Sequence, residues 1–232
     1  ASLGTAFGQN VLADEKAYAL VLEEGDLAGL PDFARAAARA AADERGHQGK
    51  YAITLARSSC ESFLQFSSRR DLREKVFQAW TRRGENGGAN DNRALIAEMV
   101  SLRAERAKLL GFASYADYRL DDQMAKTPAA ARALLDEVWG RARAKADAER
   151  DALQATIAQE GGNFALAPHD WRYYAEKLRK ARYDLDEAEI KPYFQLDKMI
   201  EAAFETARRL FGLSFKPVDV PLYHPDARAF EV

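Results

Sequence analysis

The chain has 232 residues, 47% hydrophobic and 30% charged, with 34 basic and 36 acidic side chains for a formal net charge of −2. That is an ordinary soluble profile, long enough to bury a real core, in one domain or two. The balanced charge argues against a nucleic-acid partner, and no apolar run approaches the roughly 20 residues needed to cross a bilayer. A single cysteine, Cys60, excludes an internal disulfide. No secretory pattern opens the chain, so a cytoplasmic location is expected. The start at Ala1 rather than Met is what a piece cut from a longer chain would have.

In chain order, Pro31 suits a first helical turn and Gly46 a helix end, bracketing the Ala-rich run DFARAAARAAADER. A short strand is predicted over 50–55, where β-branched and aromatic residues cluster. Ser67 or Ser68 is placed to cap a helix with Leu72, Val76, Ala79 and Trp80 on one face. The loop GENGGAND follows, and Asn90 or Asp91 caps a helix bearing Leu95, Met99, Leu102, Arg106 and Leu109 that Gly111 closes. Ser114 begins a short helix ending near Ala125.

Thr127-Pro128 is a strong start signal. The helix it opens carries Leu134, Leu135, Val138, Trp139, Leu153 and Ile157 and stops at Gly161-Gly162. At 1.5 Å per residue it is about 50 Å long, which suits the wall of a large molecule better than a small bundle. Asp170 caps the next helix, Asp184 or Asp186 restarts a short segment limited by Pro192, and Asp197 caps a helix that Gly212 ends. Pro217, Pro221 and Pro225 then exclude helix. A strand is predicted near 227–232, and because nothing follows it, its hairpin mate is expected to lie outside the chain. No repeat or linker divides the sequence, so residues 1–232 are read as a single, mainly α piece with minor β content.

The sequence is poor in recognisable chemistry. His47, His169 and His224 are separated by 122 and 55 residues, whereas a helical zinc site needs two histidines four apart. Each is read as a surface or loop residue. Cys60 lacks an activating motif and reads as a small inert side chain. GENGGAND lacks the Lys-Ser/Thr of a phosphate loop. No catalytic and no metal-binding residue is therefore named. The candidates for a peptide groove are Arg172, Tyr173 and Tyr174 at one helix start, and Tyr193 after Pro192. A phenol there could donate to a peptide carbonyl. The competing reading makes these rings core or helix packing.

The stretch Asp170-Trp171-Arg172-Tyr173-Tyr174-Ala175-Glu176-Lys177-Leu178-Arg179, then YDLDEAEIKPYF over 183–194, resembles the peptidyl-dipeptidase branch of the thimet oligopeptidase and oligopeptidase A family of zinc metallopeptidases. Leu3-Gly4-Thr5 with Phe7 and Asn10, Leu27-Ala28-Gly29-Leu30-Pro31, and the run from Arg69 to Glu74 fit the same pattern. So do Arg83-Gly84-Glu85-Asn86, Leu109-Leu110-Gly111-Phe112 and Tyr223-His224-Pro225-Asp226. His169 departs from it, standing where an aromatic residue is expected, and Ser59-Cys60-Glu61-Ser62 replaces a more Pro-containing stretch.

The resemblance implies a neurolysin-like molecule: two mostly helical lobes about a narrow channel that admits short peptides. In such enzymes an H-E-x-x-H helix and a later Glu bind one zinc, and the motif Glu acts as general base. The branch releases dipeptides from peptide C-termini. The resemblance also implies that this chain ends before the zinc helix. It would then be scaffold and channel wall, inactive and zinc-free by itself, with apolar surface that the rest of the protein covers. The alternative from another class is a self-contained, non-catalytic helical binding scaffold.

Overall fold

The computed structural model describes residues 2–184 and 187–232. Two compact units divide the chain, Ala1–Tyr183 and Asp184–Val232. The first runs α1 (Ser2–Ala17), β1 (Leu20–Leu22), α2 (Asp32–Asp43), β2 (Tyr51–Ile53), α3 (Arg57–Phe66), α4 (Arg70–Thr81), α5 (Arg93–Leu109), α6 (Tyr115–Leu120), α7 (Pro128–Gln159) and α8 (Trp171–Tyr183). The second holds α9 (Glu187–Ile190), α10 (Leu196–Phe211), β3 (Lys216–Val218) and β4 (Ala229–Glu231). The protein is mainly α, as the helix signals predict. No helix among the described residues is long and apolar enough to cross a membrane.

The main core lies between α2, the β1–β2 ribbon, α3 and α4. Ala34, Ala38 and Ala42 fall four residues apart on the buried face of α2, so the helix can approach β2 closely. Leu27, Phe63, Leu64, Leu72 and Val76 fill the centre and are almost fully buried; each such side chain stabilises the fold by about 1.5–3 kcal/mol through removal from water. β2 is the predicted strand, and its partner is β1, antiparallel, with Leu20 opposite Ile53 and Leu22 opposite Tyr51. α1 and α3 have no counterpart in the sequence reading. α1 buries no residue, and Gly4 and Gly8 within it weaken the helix signal of its Leu3, Phe7 and Val11 stripe.

Two start signals hold as read. Ser114 Oγ accepts from the Asp117 N–H at 3.2 Å, and Thr127 Oγ1 accepts from the Ala130 N–H at 3.2 Å with Pro128 in the first turn of α7. Others shift. Pro31 occupies the N-cap of α2 rather than its first turn. The N-cap of α4 is Arg69, and Ser67 Oγ instead accepts from the Arg69 N–H. Asn92 is the N-cap of α5, although Asp91 Oδ1 still accepts from the Arg93 N–H at 2.9 Å. Gln195 stands at the N-cap of α10, and Asp197 pairs with Arg228 at 2.9 Å. Gly212 ends α10 in the left-handed conformation, as predicted. Asp186 lies outside the described residues; the short segment before Pro192 is α9.

The expected strand near the C-terminus exists as β4, but its mate is not missing. β3 pairs with it antiparallel, Lys216 opposite Glu231 and Val218 opposite Ala229, so the expectation of an absent partner is wrong. Pro217 sits opposite Phe230 within β3. In a two-stranded sheet both strands are edges, and an edge strand tolerates a residue with no N–H to donate. Phe230 also meets Phe204 of α10 at 4.9 Å, while Phe204 stacks on Phe215 at 4.1 Å.

α7 is 32 residues long, yet only Leu153 and Ile157 are buried in it. Leu134, Leu135, Val138 and Trp139 are predicted as its apolar face and are exposed. α5 behaves alike: Ala107 is its one buried residue, and Leu102 and Leu109 face water.

Candidate functional site

A buried polar cluster lies where α4 meets the 3-10 turn Pro168–Asp170 that leads into α8. Arg70 and Arg73, three residues apart, share one face of α4. Asp170 is fully buried, and both guanidiniums reach it. Arg70 donates through Nε at 3.1 Å to each carboxylate oxygen and through Nη2 at 3.0 Å. Arg73, 1% exposed, donates from Nη2 at 2.8 Å and from Nη1 to the Ser67 carbonyl at 2.7 Å. The Ala167 N–H completes the set at 3.2 Å. Asp170 thus stands just before α8, where a cap is expected, but its carboxylate serves α4.

Burial alone would raise the Asp170 carboxyl. The hydrogen bonds from Arg70 and Arg73 outweigh it and hold the group below the usual carboxylate range. His169, read from sequence as a surface or loop residue, is buried beside it, with Nε2 3.6 Å from Asp170 Oδ1 and the Phe77 ring at 6.5 Å. His47 and His224 are exposed.

The aromatic candidates on α8 flank this cluster. The Arg73 guanidinium lies 4.1 Å from the Tyr173 ring centroid, and Arg70 lies 4.3 Å from that of Phe164. Tyr173 and Tyr174 meet edge to face at 5.1 Å. Tyr174 is 7% exposed and packs with Leu153 and Ile157 of α7. Burial, then the nearby Glu160 carboxylate, pushes its phenol up. Lys177 covers both rings and binds Glu160 at 2.8 Å. Burial disfavours its charge, but the hydrogen bonds to Glu160 and Tyr173 prevail and raise its pKa. Arg172 points away to Glu61 of α3, 3.0 Å distant. Tyr193 belongs to the second unit and is 80% exposed. Arg172, Tyr173 and Tyr174 are therefore neighbours along α8 but face different partners.

Beyond the cluster, an open groove of about 340 Å³ runs between α7 and α8. Ala152, Leu153, Ala175 and Leu178 line its floor, with Trp171 at one wall. A second polar centre forms around Asp14 of α1. Its carboxylate accepts from the Gly84 N–H at 2.8 Å, Asn86 Nδ2 at 2.9 Å and Asn90 Nδ2 at 3.2 Å. The Gly84 bond leads in lowering its pKa. The GENGGAND loop thus encloses a carboxylate of its own chain. Sequence reading missed both centres, because their partners lie 100 and 70 residues apart. The only signal was residue type: Arg at i and i+3, and an Asn-rich loop.

Residues 63–232 match the profile of Peptidase family M3. The chain is 42% identical over 235 residues to Dipeptidyl carboxypeptidase of Escherichia coli (strain K12), covering 100% of this chain and 34% of that protein. It is 39% identical to the Dipeptidyl carboxypeptidase of Salmonella typhimurium, covering 100% of this chain and 35% of the relative. It is 34% identical to Oligopeptidase A of the same organism, covering 99% and 35%. The chain belongs to peptidase family M3. It spans about a third of the length of the curated relatives it matches. That family implies a zinc ion. Among the described residues no group of three or more His, Cys, Asp or Glu side chains is placed to hold a metal. These described residues do not fit the ion.

Proposed function

We propose that this chain supplies helical scaffold and part of the channel wall to a zinc-dependent, cytoplasmic peptidase that releases dipeptides from the C-termini of short peptides. The observation that carries this reading is the 42% identity to a dipeptidyl carboxypeptidase along the whole chain. Family membership over residues 63–232 supports it independently. In this reading the zinc ligands and general base come from other polypeptide of the same protein, and the chain alone is inactive. That polypeptide also covers the exposed side chains Leu134, Leu135, Val138 and Trp139 of α7. Among the groove candidates, Arg172 and Tyr193 have solvent-facing surface for a peptide. Tyr173 and Tyr174 would act through the packing they provide under Arg73 and Lys177.

The test is turnover of a quenched peptide that reports loss of its C-terminal dipeptide, with zinc present. The protein containing these residues within a relative-length chain is expected to cleave it and to stop when a chelator is added. The 232-residue chain is expected to stay at the blank rate. Chelator-sensitive turnover by the 232-residue chain, or none by the longer protein, would overturn the proposal.

A further inference from the structure

Two separate apolar clusters hold the first unit. One is built from α2, β1, β2, α3 and α4; the other from Leu153 and Ile157 of α7 with Tyr174, Phe164, Leu166 and Trp171. They share no buried residue. The contacts recorded between them are ion pairs, hydrogen bonds and rings that meet a charged or polar group, as Tyr173 meets Arg73 and Phe77 meets His169. Asp170 meets Arg70 and Arg73, Glu176 of α8 accepts from Gln65 of α3 at 2.9 Å, and Arg172 meets Glu61. The two buried side-chain polar atoms left without a hydrogen bond among the described residues, Arg73 Nε and His169 Nε2, lie in the same seam. A seam with unsatisfied polar atoms is less tightly knit than either core it joins.

The backbone adds an independent sign. Among the described residues just two that are not glycine adopt left-handed backbone, Lys126 at φ 60° and Asp184 at φ 50°. One immediately precedes the Thr127 cap of α7, and the other immediately follows the end of α8. Lys126 is thus a strained, element-terminal residue between the body and the arm, the kind of position where a hinge absorbs a change in φ and ψ.

We propose that the hairpin Pro128–Tyr183 is a rigid arm, latched to the α2–α4 body by the Asp170–Arg70–Arg73 cluster and able to swing at Lys126, where the chain joins it to that body. Release carries the exposed face of α7 relative to α4 while each apolar core stays packed. This inference is independent of the proposed peptidase activity.

The test uses the 232-residue chain with cysteines introduced for spin labels at Lys75 on α4 and Arg143 on α7, both exposed. Cys60 is buried and does not compete for label. The latched arm is expected to give one narrow distance. Asp170→Asn is expected to raise the displaced population at least about tenfold with helix content unchanged. Arg70→Met, which keeps the buried Arg73–Asp170 pair, should act in the same direction and more weakly. If both variants keep the single narrow distance, or if both lose α2–α4 together with the arm, the hairpin is not a separable arm and the proposal fails.

Discussion

Replacing Asp170 by Asn keeps the shape of the side chain and removes its charge. The structure says where the cost falls. Arg70 is 39% exposed and can turn to water, but the Arg73 side chain is 1% exposed and cannot. The substitution therefore leaves a buried guanidinium facing a neutral amide. Removing one partner of a buried pair in this way costs about 3–5 kcal/mol. The free energy for opening the α4–α8 interface should fall by that amount, read by denaturant dependence of amide exchange in α4 and α8. A double-mutant cycle with Arg73→Met should recover part of the loss, because the stranded charge is then gone.

The pH dependence must follow the same logic. The folded Asp170 carboxyl lies below its unfolded value, so its contribution is complete above about pH 5 and is lost as pH falls through the folded pKa. Asp170→Asn should flatten that acid limb. A loss below about 1 kcal/mol, or an unchanged acid limb, would refute the claim that this pair holds the seam.

Three further outcomes are expected. Ile157→Ala should cost about 2–5 kcal/mol in urea unfolding, because Ile157 is fully buried in the α7–α8 core, whereas Leu134→Ala on the exposed face of the same helix should stay within about 0.5 kcal/mol. The Cys60 thiol, pushed up to about 12 chiefly by burial, should resist a thiol reagent at pH 8 until denaturant is added; rapid native labelling would contradict its placement. Gly84→Ala should destabilise by more than about 1 kcal/mol, since Gly84 has φ 77° and an added Cβ would lie 2.6 Å from Asn92 Nδ2. A melting temperature equal to the parent's would count against that account.

The local signals in the chain were legible wherever one side chain meets its own backbone. Thr127-Pro128 and Ser114 start helices, and Gly212 stops one, because these effects act within a few residues. They were not legible where a distant partner outbids the local one. Asp170 looks like a helix cap and is instead drawn to Arg70 and Arg73. His169 looks like a loop residue and is buried against Phe77. The groove candidates Arg172, Tyr173 and Tyr174 adjoin in sequence, but helical geometry turns them to Glu61, Arg73 and the α7 core respectively.

The amino-acid order by itself determined that this protein is mainly helical, where its longest helix begins, and which family its motifs resemble. Propensity, capping and periodicity are local quantities. Only the tertiary structure decided that β4 finds its mate in β3, that α7 buries one end and exposes the other, and that one buried and one partly exposed arginine converge on one aspartate. Each of those depends on which groups lose water together, and that is settled by packing between segments up to 100 residues apart.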